Sequence, residues 1–315
     1  MVSLKALQPA ISMAQPFEST FVLFVDMLGF ASLVEEEGDE LDELSPVFTG
    51  VELYNPTASE SLLGYRFINF HRCLNQARVR LQELGAGTGI VFSDSAFFRI
   101  DSLEAAINLA RALMFELVTS EVPARMGIAR GSYRMLRFLT DSSAQVSFHM
   151  SQFLGTGIVR AYKTEQCGVP GLRILLHPDL EPLLDKNTLR IVPVKPSERM
   201  RLNVISEVNY LDTEENFSGP DFDDCIQFDS LRWMAGLTDE NLQYHYVDTF
   251  NAWNVMRAQI GRAPYPWEKF LDRDEYDYTH GIRERPPAGG TSADGVNDSG
   301  SGQKPGKELG ALGKG

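Results

Sequence analysis

The chain has 315 residues, 43% hydrophobic and 23% charged, with 29 Lys and Arg against 43 Asp and Glu for a formal charge of −14. At about 150 residues per domain this length allows two domains. The acidic balance argues against a nucleic-acid binder, which carries a basic footprint, and against attraction to an anionic membrane.

In chain order, residues 1–19 read as an N-terminal segment without a signal-like apolar core, because Pro9 and Gln15 interrupt it. Thr20 to Asp26 (TFVLFVD) is β-rich and nearly all apolar, the pattern of a buried central strand. The run 35–44 holds seven acidic residues in ten and reads as an exposed loop or helix end. Leu63, Phe67, Phe70, Leu74, Ala77, Leu81 and Leu84 recur at steps of four and three, one apolar face of a long helix that Gly85, Gly87 and Gly89 stop. GIVF and AFFRI, joined at Ser93–Asp94, predict a hairpin.

A second helix is expected from an N-cap at Asp101 or Ser102, with Leu103, Ala106, Ile107, Ala110, Leu113, Met114 and Leu117 on its face. Strands ARMGIARG and SYRMLRF follow, then a helix from about Ser151 to Gln166 and a strand LRILLH. The order strand, helix, strand, strand, helix, strand is that of an α+β, ferredoxin-like βαββαβ palm, a fold that hosts many activities.

Residues 20–185 thus form the expected core domain. Residues 186–280, with strands near 190–194 and 202–208 and helices over 222–237 and 240–260, form a C-terminal α+β extension. The glycine-rich, aromatic-free residues 281–315 read as a disordered tail. Three widely spaced cysteines exclude a zinc ribbon or disulfide framework and suit a reducing cytoplasm. No apolar run is long enough to span a bilayer. The two GTGIV copies are not P-loops, the histidines do not form HExxH, and there is no GxSxG elbow.

Two acidic residues stand out. Asp26 ends an apolar strand and Asp94 sits in an apolar hairpin, where a carboxylate is costly unless paired or metal-bound. The βαββαβ arrangement brings the end of the first strand and the hairpin to one edge. The two carboxylates can therefore face each other and hold divalent cations.

These residues also carry a resemblance. FVDMLGFA resembles the F-x-D-I-x-G-F-T motif of class III nucleotidyl cyclases. FSDSAFF resembles their hairpin metal motif, ARMGIARGSY the following G-I-x-x-G strand, and LGTGIVRAYKTEQCGVPGLRILLHP the stretch beginning Gly-Asn-x-V-N. The four motifs occur in order over about residues 20–178. The chain departs from the purine cyclases at their base-reading Lys, where Ile90 stands, and at their base-reading Asp, where Gln152 falls. Val159 falls at their ribose-positioning Asn and Lys163 at their transition-state Arg. A site built on hydrogen bonds to a purine weakens sharply when its donors vanish.

The mixture resembles most the pyrimidine cyclases of bacterial Pycsar antiphage systems. That resemblance implies a homodimer with composite sites, two Mn²⁺ or Mg²⁺ per site, and conversion of UTP to 3′,5′-cyclic UMP and pyrophosphate. The product would activate a separate effector. CTP as substrate, a purine cyclase and an inactive nucleotide-binding module are the alternatives. The implied site comprises Asp26, Asp94 and the carbonyl of Met27 for metal, and Phe24, Leu28, Gly29, Phe30 and Ile90 for substrate. The N–H groups of the turn Met27–Phe30 are expected to hold phosphate oxygens, with Lys163 of the partner chain meeting charge on the phosphate.

Overall fold

The structure is a computed structural model that describes residues 20–37, 62–139, 149–185, 190–195, 200–204, 206–211, 222–237, 243–267 and 270. The chain divides by its contacts into residues 1–276 and 277–315. The second unit, the N-terminal segment 1–19 and most of the acidic run lie outside the described residues.

The first strand, β1 (Thr20–Met27), alternates between two cores. Leu23, Val25 and Met27 point to one face of the sheet, into the main core; Val22 and Phe24 point to the other, with Ala129 and Ala161. This follows from the two-residue period of a strand, and it puts Asp26 on the Phe24 side. A turn leads to α1 (Phe30–Glu37), and α2 (Leu62–Glu83) buries Leu63, Phe70, Leu74, Ala77 and Leu81 as the periodicity predicts.

The hairpin is β2 (Gly87–Val91) and β3 (Ser95–Ile100). Gly87 and Gly89 therefore open a strand and do not stop a helix; Gly87 lies so close to β3 that a Cβ there would sit 2.1 Å from the Arg99 carbonyl oxygen. Helix α3 (Leu103–Thr119) is capped by Ser102, whose hydroxyl accepts from the Ala105 N–H at 3.2 Å. Strand β4 (Ala124–Gly131) follows.

Strands β1 to β4 stand in the order β2-β3-β1-β4, every neighbour antiparallel. That is the split βαββαβ palm expected from the sequence. The expected strand 132–138 is β5 (Arg134–Leu139). It pairs with β6 (His149–Leu154) in a separate two-stranded ribbon.

The predicted helix from Ser151 is thereby corrected: it begins at Thr156, as α4 (Thr156–Glu165). The break is Gly155, whose φ of 156° is foreign to a helix and whose missing Cβ admits the Ser132 carbonyl. Short apolar runs do not distinguish strand from helix by period alone; here HMSQFL finds a strand partner.

Strand β7 (Ile174–Leu176) pairs parallel to β4, and β9 (Ser206–Val208) and β8 (Ile191–Pro193) extend the sheet antiparallel beyond it. Both are shorter than predicted. Helices α5 (Phe222–Gly236) and α6 (Gln243–Gln259) join the main core through Phe228, Leu231, Phe250 and Trp253. Polar contacts lock α6 to the start of β7. Thr249 Oγ1 accepts from the Leu172 N–H at 2.8 Å, and Trp253 Nε1–H donates to Tyr210 Oη, which donates to the Leu172 carbonyl. A buried bidentate Arg173–Glu207 pair ties β7 to β9.

Candidate active site

Asp26 is the penultimate residue of β1. Its neighbours across the sheet are Ser95 on β3 and Arg125 on β4. One residue later, the Met27 N–H donates to the Asp94 carbonyl at 2.9 Å. The sheet thus brings together the two carboxyl-bearing residues that the sequence singled out. The hairpin turn is closed by the Phe92 N–H to the Ser95 carbonyl at 2.7 Å. His71 of α2 pins it from outside, its Nε2 donating to the Ser93 carbonyl at 3.0 Å. That bond requires the proton on Nε2; burial meanwhile pushes the imidazole below its ordinary value. The Ser93 hydroxyl donates to Asp94 Oδ1.

The electrostatics of Asp26 are unfavourable to its charge. Burial pushes its carboxyl up from the ordinary 3.8 to about 7, Glu165 and then Asp94 add to the rise, and Arg125 opposes it. Arg125 is occupied: Nε and Nη2 both reach Glu165 Oε1 at 2.6 Å, and Nη1 donates to the Val169 carbonyl. Glu165 is fully buried at the end of α4, and its burial pushes its own carboxyl up.

The sequence reading missed this pair. Its signal was Gly127. A Cβ there would lie 2.3 Å from the Ala161 carbonyl oxygen and 2.7 Å from the Glu165 nitrogen. A glycine inside a strand marks such close backbone approach. Here it lets α4 lie directly on β4 and bring Glu165 to Arg125.

Phe24 is buried on the same side, 4.5 Å between ring centroids from Phe97 and 5.5 Å from Tyr162. Ile90 is half-buried on β2, opposite Phe97 in register. The site flank is therefore an aromatic and aliphatic wall. Leu28 and Phe30 are half-buried and pack on the main core, with Phe30 stacked on Phe67. Gly29 takes a φ of +76° in the exposed turn that opens α1.

One expectation about this turn is corrected. The Met27 and Leu28 N–H groups are already spent, on the carbonyls of Asp94 and Pro123 at 2.9 Å each. Only Gly29 and Phe30 keep backbone donors without a partner among the described residues.

Lys163 is exposed on α4 and makes no ion pair among the described residues. It is not among the groups acting on Asp26. Within one chain the fold does not join it to the carboxylates. Val159 and Tyr162 beside it are 51% and 49% exposed.

The donor set suits a hard divalent cation. Asp26 and Asp94 offer carboxylate oxygens and no soft ligand, and the charge that burial and Glu165 disfavour is one a cation would compensate. No group of three or more His, Cys, Asp or Glu suited to metal occurs among the described residues. A cation held by these two carboxylates would take its remaining ligands from carbonyl, water and ligand oxygens, as magnesium does when bound with phosphates. No helix among the described residues is long and apolar enough to cross a membrane.

No protein-family model matches the chain, and no curated protein matches it. Solved structures do. The guanylyl cyclase Cya2 is 16% identical over 64% of this chain and 96% of its own, with a TM-score of 0.36. The adenylyl cyclase CyaB from P. aeruginosa is 14% identical over 64% and 97%, with a TM-score of 0.38. A Trypanosoma brucei adenylate cyclase is 13% identical over 67% and 97%, with a TM-score of 0.40. At these values the functional reading rests on the chain's own residues.

Proposed function

We propose that this chain is a nucleotide cyclase that closes a pyrimidine nucleoside triphosphate, UTP in the first instance and CTP in the second, to its 3′,5′-cyclic monophosphate with release of pyrophosphate. The observation that supports the reading is the juxtaposition of Asp26 and Asp94 at one end of the sheet, where the Met27 N–H donates to the Asp94 carbonyl and Asp94 raises the Asp26 carboxyl. Residues 20–185 are the catalytic part in this reading and residues 186–280 an extension of it.

Asp26, Asp94 and the Met27 carbonyl would hold Mn²⁺ or Mg²⁺, which supplies acidification of the 3′-hydroxyl and neutralisation of the triphosphate. The chain's own groups do the rest. The Gly29 and Phe30 N–H groups, at the positive end of α1, donate to phosphate oxygens. Phe24 and Phe97 keep water from the reacting oxygen. Ile90 offers no hydrogen bond to a base, which disfavours a purine reader at that position.

Lys163 would act from a second copy of the chain. The exposed Val159 and Tyr162 around it supply the apolar surface that a homodimer would cover. The cyclic product would serve a separate effector as a second messenger in antiphage defence, with the enzyme in the cytoplasm.

The test is incubation of the purified protein with each of the four nucleoside triphosphates and Mn²⁺, with products identified by chromatography. Cyclic UMP, or cyclic CMP, is expected. A cyclic AMP or cyclic GMP peak would move the reading to a purine cyclase. No product from any triphosphate would favour an inactive nucleotide-binding module.

A further inference from the structure

Bordered by Leu28 and Arg125 lies a cavity of about 540 Å³. Its wall includes Leu28, Arg125, Gln166, Arg201, Tyr244 and His245, and no carboxylate is among its eight lining residues. In a chain of net charge −14 that is a marked local inversion. The volume falls within the usual range for small-molecule sites.

The two guanidinium groups differ in their freedom. Arg125 is held by Glu165 and the Val169 carbonyl. Arg201 is exposed, and its guanidinium has no hydrogen bond or ion pair among the described residues; only its backbone N–H is engaged, with the Cys167 carbonyl. A guanidinium without a partner among the described residues, at a pocket whose lining holds no carboxylate, matches the fork geometry of a phosphate.

Two aromatic side chains join the lining. Tyr244 is 40% exposed and lies against His245, with ring centroids 4.1 Å apart. His245 Nδ1 accepts from the Gly171 N–H at 3.0 Å, so in the neutral ring Nε2 carries the proton. A phenol and an imidazole in the same lining as an arginine suit a base joined to a phosphate, since bases stack on aromatic side chains whatever their sequence.

We propose that this cavity is a nucleoside monophosphate site separate from the carboxylate pair, with Arg201 on the phosphate and Tyr244 against the base. Leu28 belongs both to the pocket wall and to the turn that opens α1, so an occupant rests against the candidate catalytic turn. Binding here requires neither metal nor turnover.

The experiment is titration calorimetry of the full chain in EDTA, with UMP, uridine and inorganic pyrophosphate as probes. Wild type is expected to bind one UMP saturably and to bind uridine or pyrophosphate at least tenfold more weakly. Arg201→Ala is expected to weaken UMP at least tenfold, with Arg201→Lys between the two. Asp26→Asn/Asp94→Asn is expected to stay within twofold of wild type. The proposal is overturned by the absence of saturable UMP binding, by unchanged affinity in Arg201→Ala, or by equal binding of uridine or pyrophosphate. Loss of binding in the double carboxylate variant would also overturn it, since the ligand would then sit at the carboxylates. Because no turnover is measured, a failed cyclase assay leaves this result readable on its own.

Discussion

Arg125 holds the fully buried Glu165 at 2.6 Å from its place directly across the strand from Asp26. The pair is therefore both a fastening between β4 and α4 and a source of field at the candidate site. Its two halves act oppositely on Asp26: Glu165 raises the carboxyl and Arg125 lowers it.

Breaking that pair is expected to destabilise the fold. Glu165→Leu leaves a nearly buried guanidinium without its counter-charge, a change that typically costs about 3–5 kcal/mol. The double variant Arg125→Met/Glu165→Leu removes both charges and is expected to recover most of the loss. Urea denaturation of the three proteins is the check; a single-variant loss below about 1 kcal/mol would mean that the pair is not a fastening.

Asp26 gives a pH dependence with a definite sign. Its folded carboxyl titrates at about 7 and its ordinary value is 3.8. Below about 3.8 the group is protonated in both states and imposes no penalty. As pH rises towards 7 the unfolded chain releases the proton more readily than the folded one, and stability falls. Above 7 the penalty is constant, at most about 4 kcal/mol from a shift of this size. In EDTA, the stability advantage of Asp26→Asn over wild type is therefore expected to widen from pH 4 to pH 7 and then level off. Thermal unfolding across that range measures it. A gap that does not change with pH would remove the electrostatic account of this residue.

Added Mn²⁺ is expected to invert that ranking. At pH 8 the cation should raise the wild-type melting temperature by several degrees and leave Asp26→Asn and Asp94→Asn nearly unmoved, because binding to the folded state alone stabilises it by mass action. Equal shifts in all three proteins would place the cation elsewhere.

The proposed composite site can be tested by mixing. On the proposed reading, the Asp26→Ala and Lys163→Ala proteins are each expected to lose most turnover, Asp26→Ala by at least two orders of magnitude. If Lys163 serves the partner's carboxylates, a mixed dimer of the two variants contains one intact site. Co-refolded mixtures should then regain up to about a quarter of wild-type activity, the statistical share when chains pair at random and half the pairs carry one working site of two. A mixture no more active than its parents would refute a Lys163 contribution in trans.

Gly127→Ala is the cleanest packing test. The new methyl would meet backbone atoms of α4 at 2.3 and 2.7 Å, and backbone cannot rotate away as a side-chain end can. A loss of about 1–3 kcal/mol is expected, as for overpacked cores. Thermal unfolding would show it; an unchanged melting temperature would mean that α4 can lift from β4 without penalty.

Much of this arrangement was legible in the sequence. TFVLFVD declared a buried central strand, the steps of four and three declared α2 and α3, and the short hairpin around Ser93–Asp94 followed from two apolar runs and a polar joint. The motif order also located Asp26 and Asp94. The errors fell where local pattern is ambiguous. HMSQFL suits helix or strand equally until β5 is available to pair with it, and Gly155 ends the ambiguity only through its backbone conformation. The turn at Met27–Phe30 was expected to offer all its N–H groups, yet two of them are taken by the carbonyls of Asp94 and Pro123, both far away in sequence.

The net charge of −14 and the three isolated cysteines narrow the function classes without any fold. Residues 99–173 hold nine basic against six acidic residues, so the sequence alone also shows that the negative charge lies elsewhere in the chain. Periodicity fixes which residues share a face, because a strand repeats every two residues and a helix every 3.6. What periodicity cannot fix is which faces meet. That Glu165 meets Arg125 opposite Asp26 in the sheet, and that Arg201 and Tyr244 line one cavity from segments 43 residues apart, was decided by tertiary packing alone. The electrostatic character of a carboxylate depends on burial and on charges a few ångströms away, and neither is a property of neighbours in sequence.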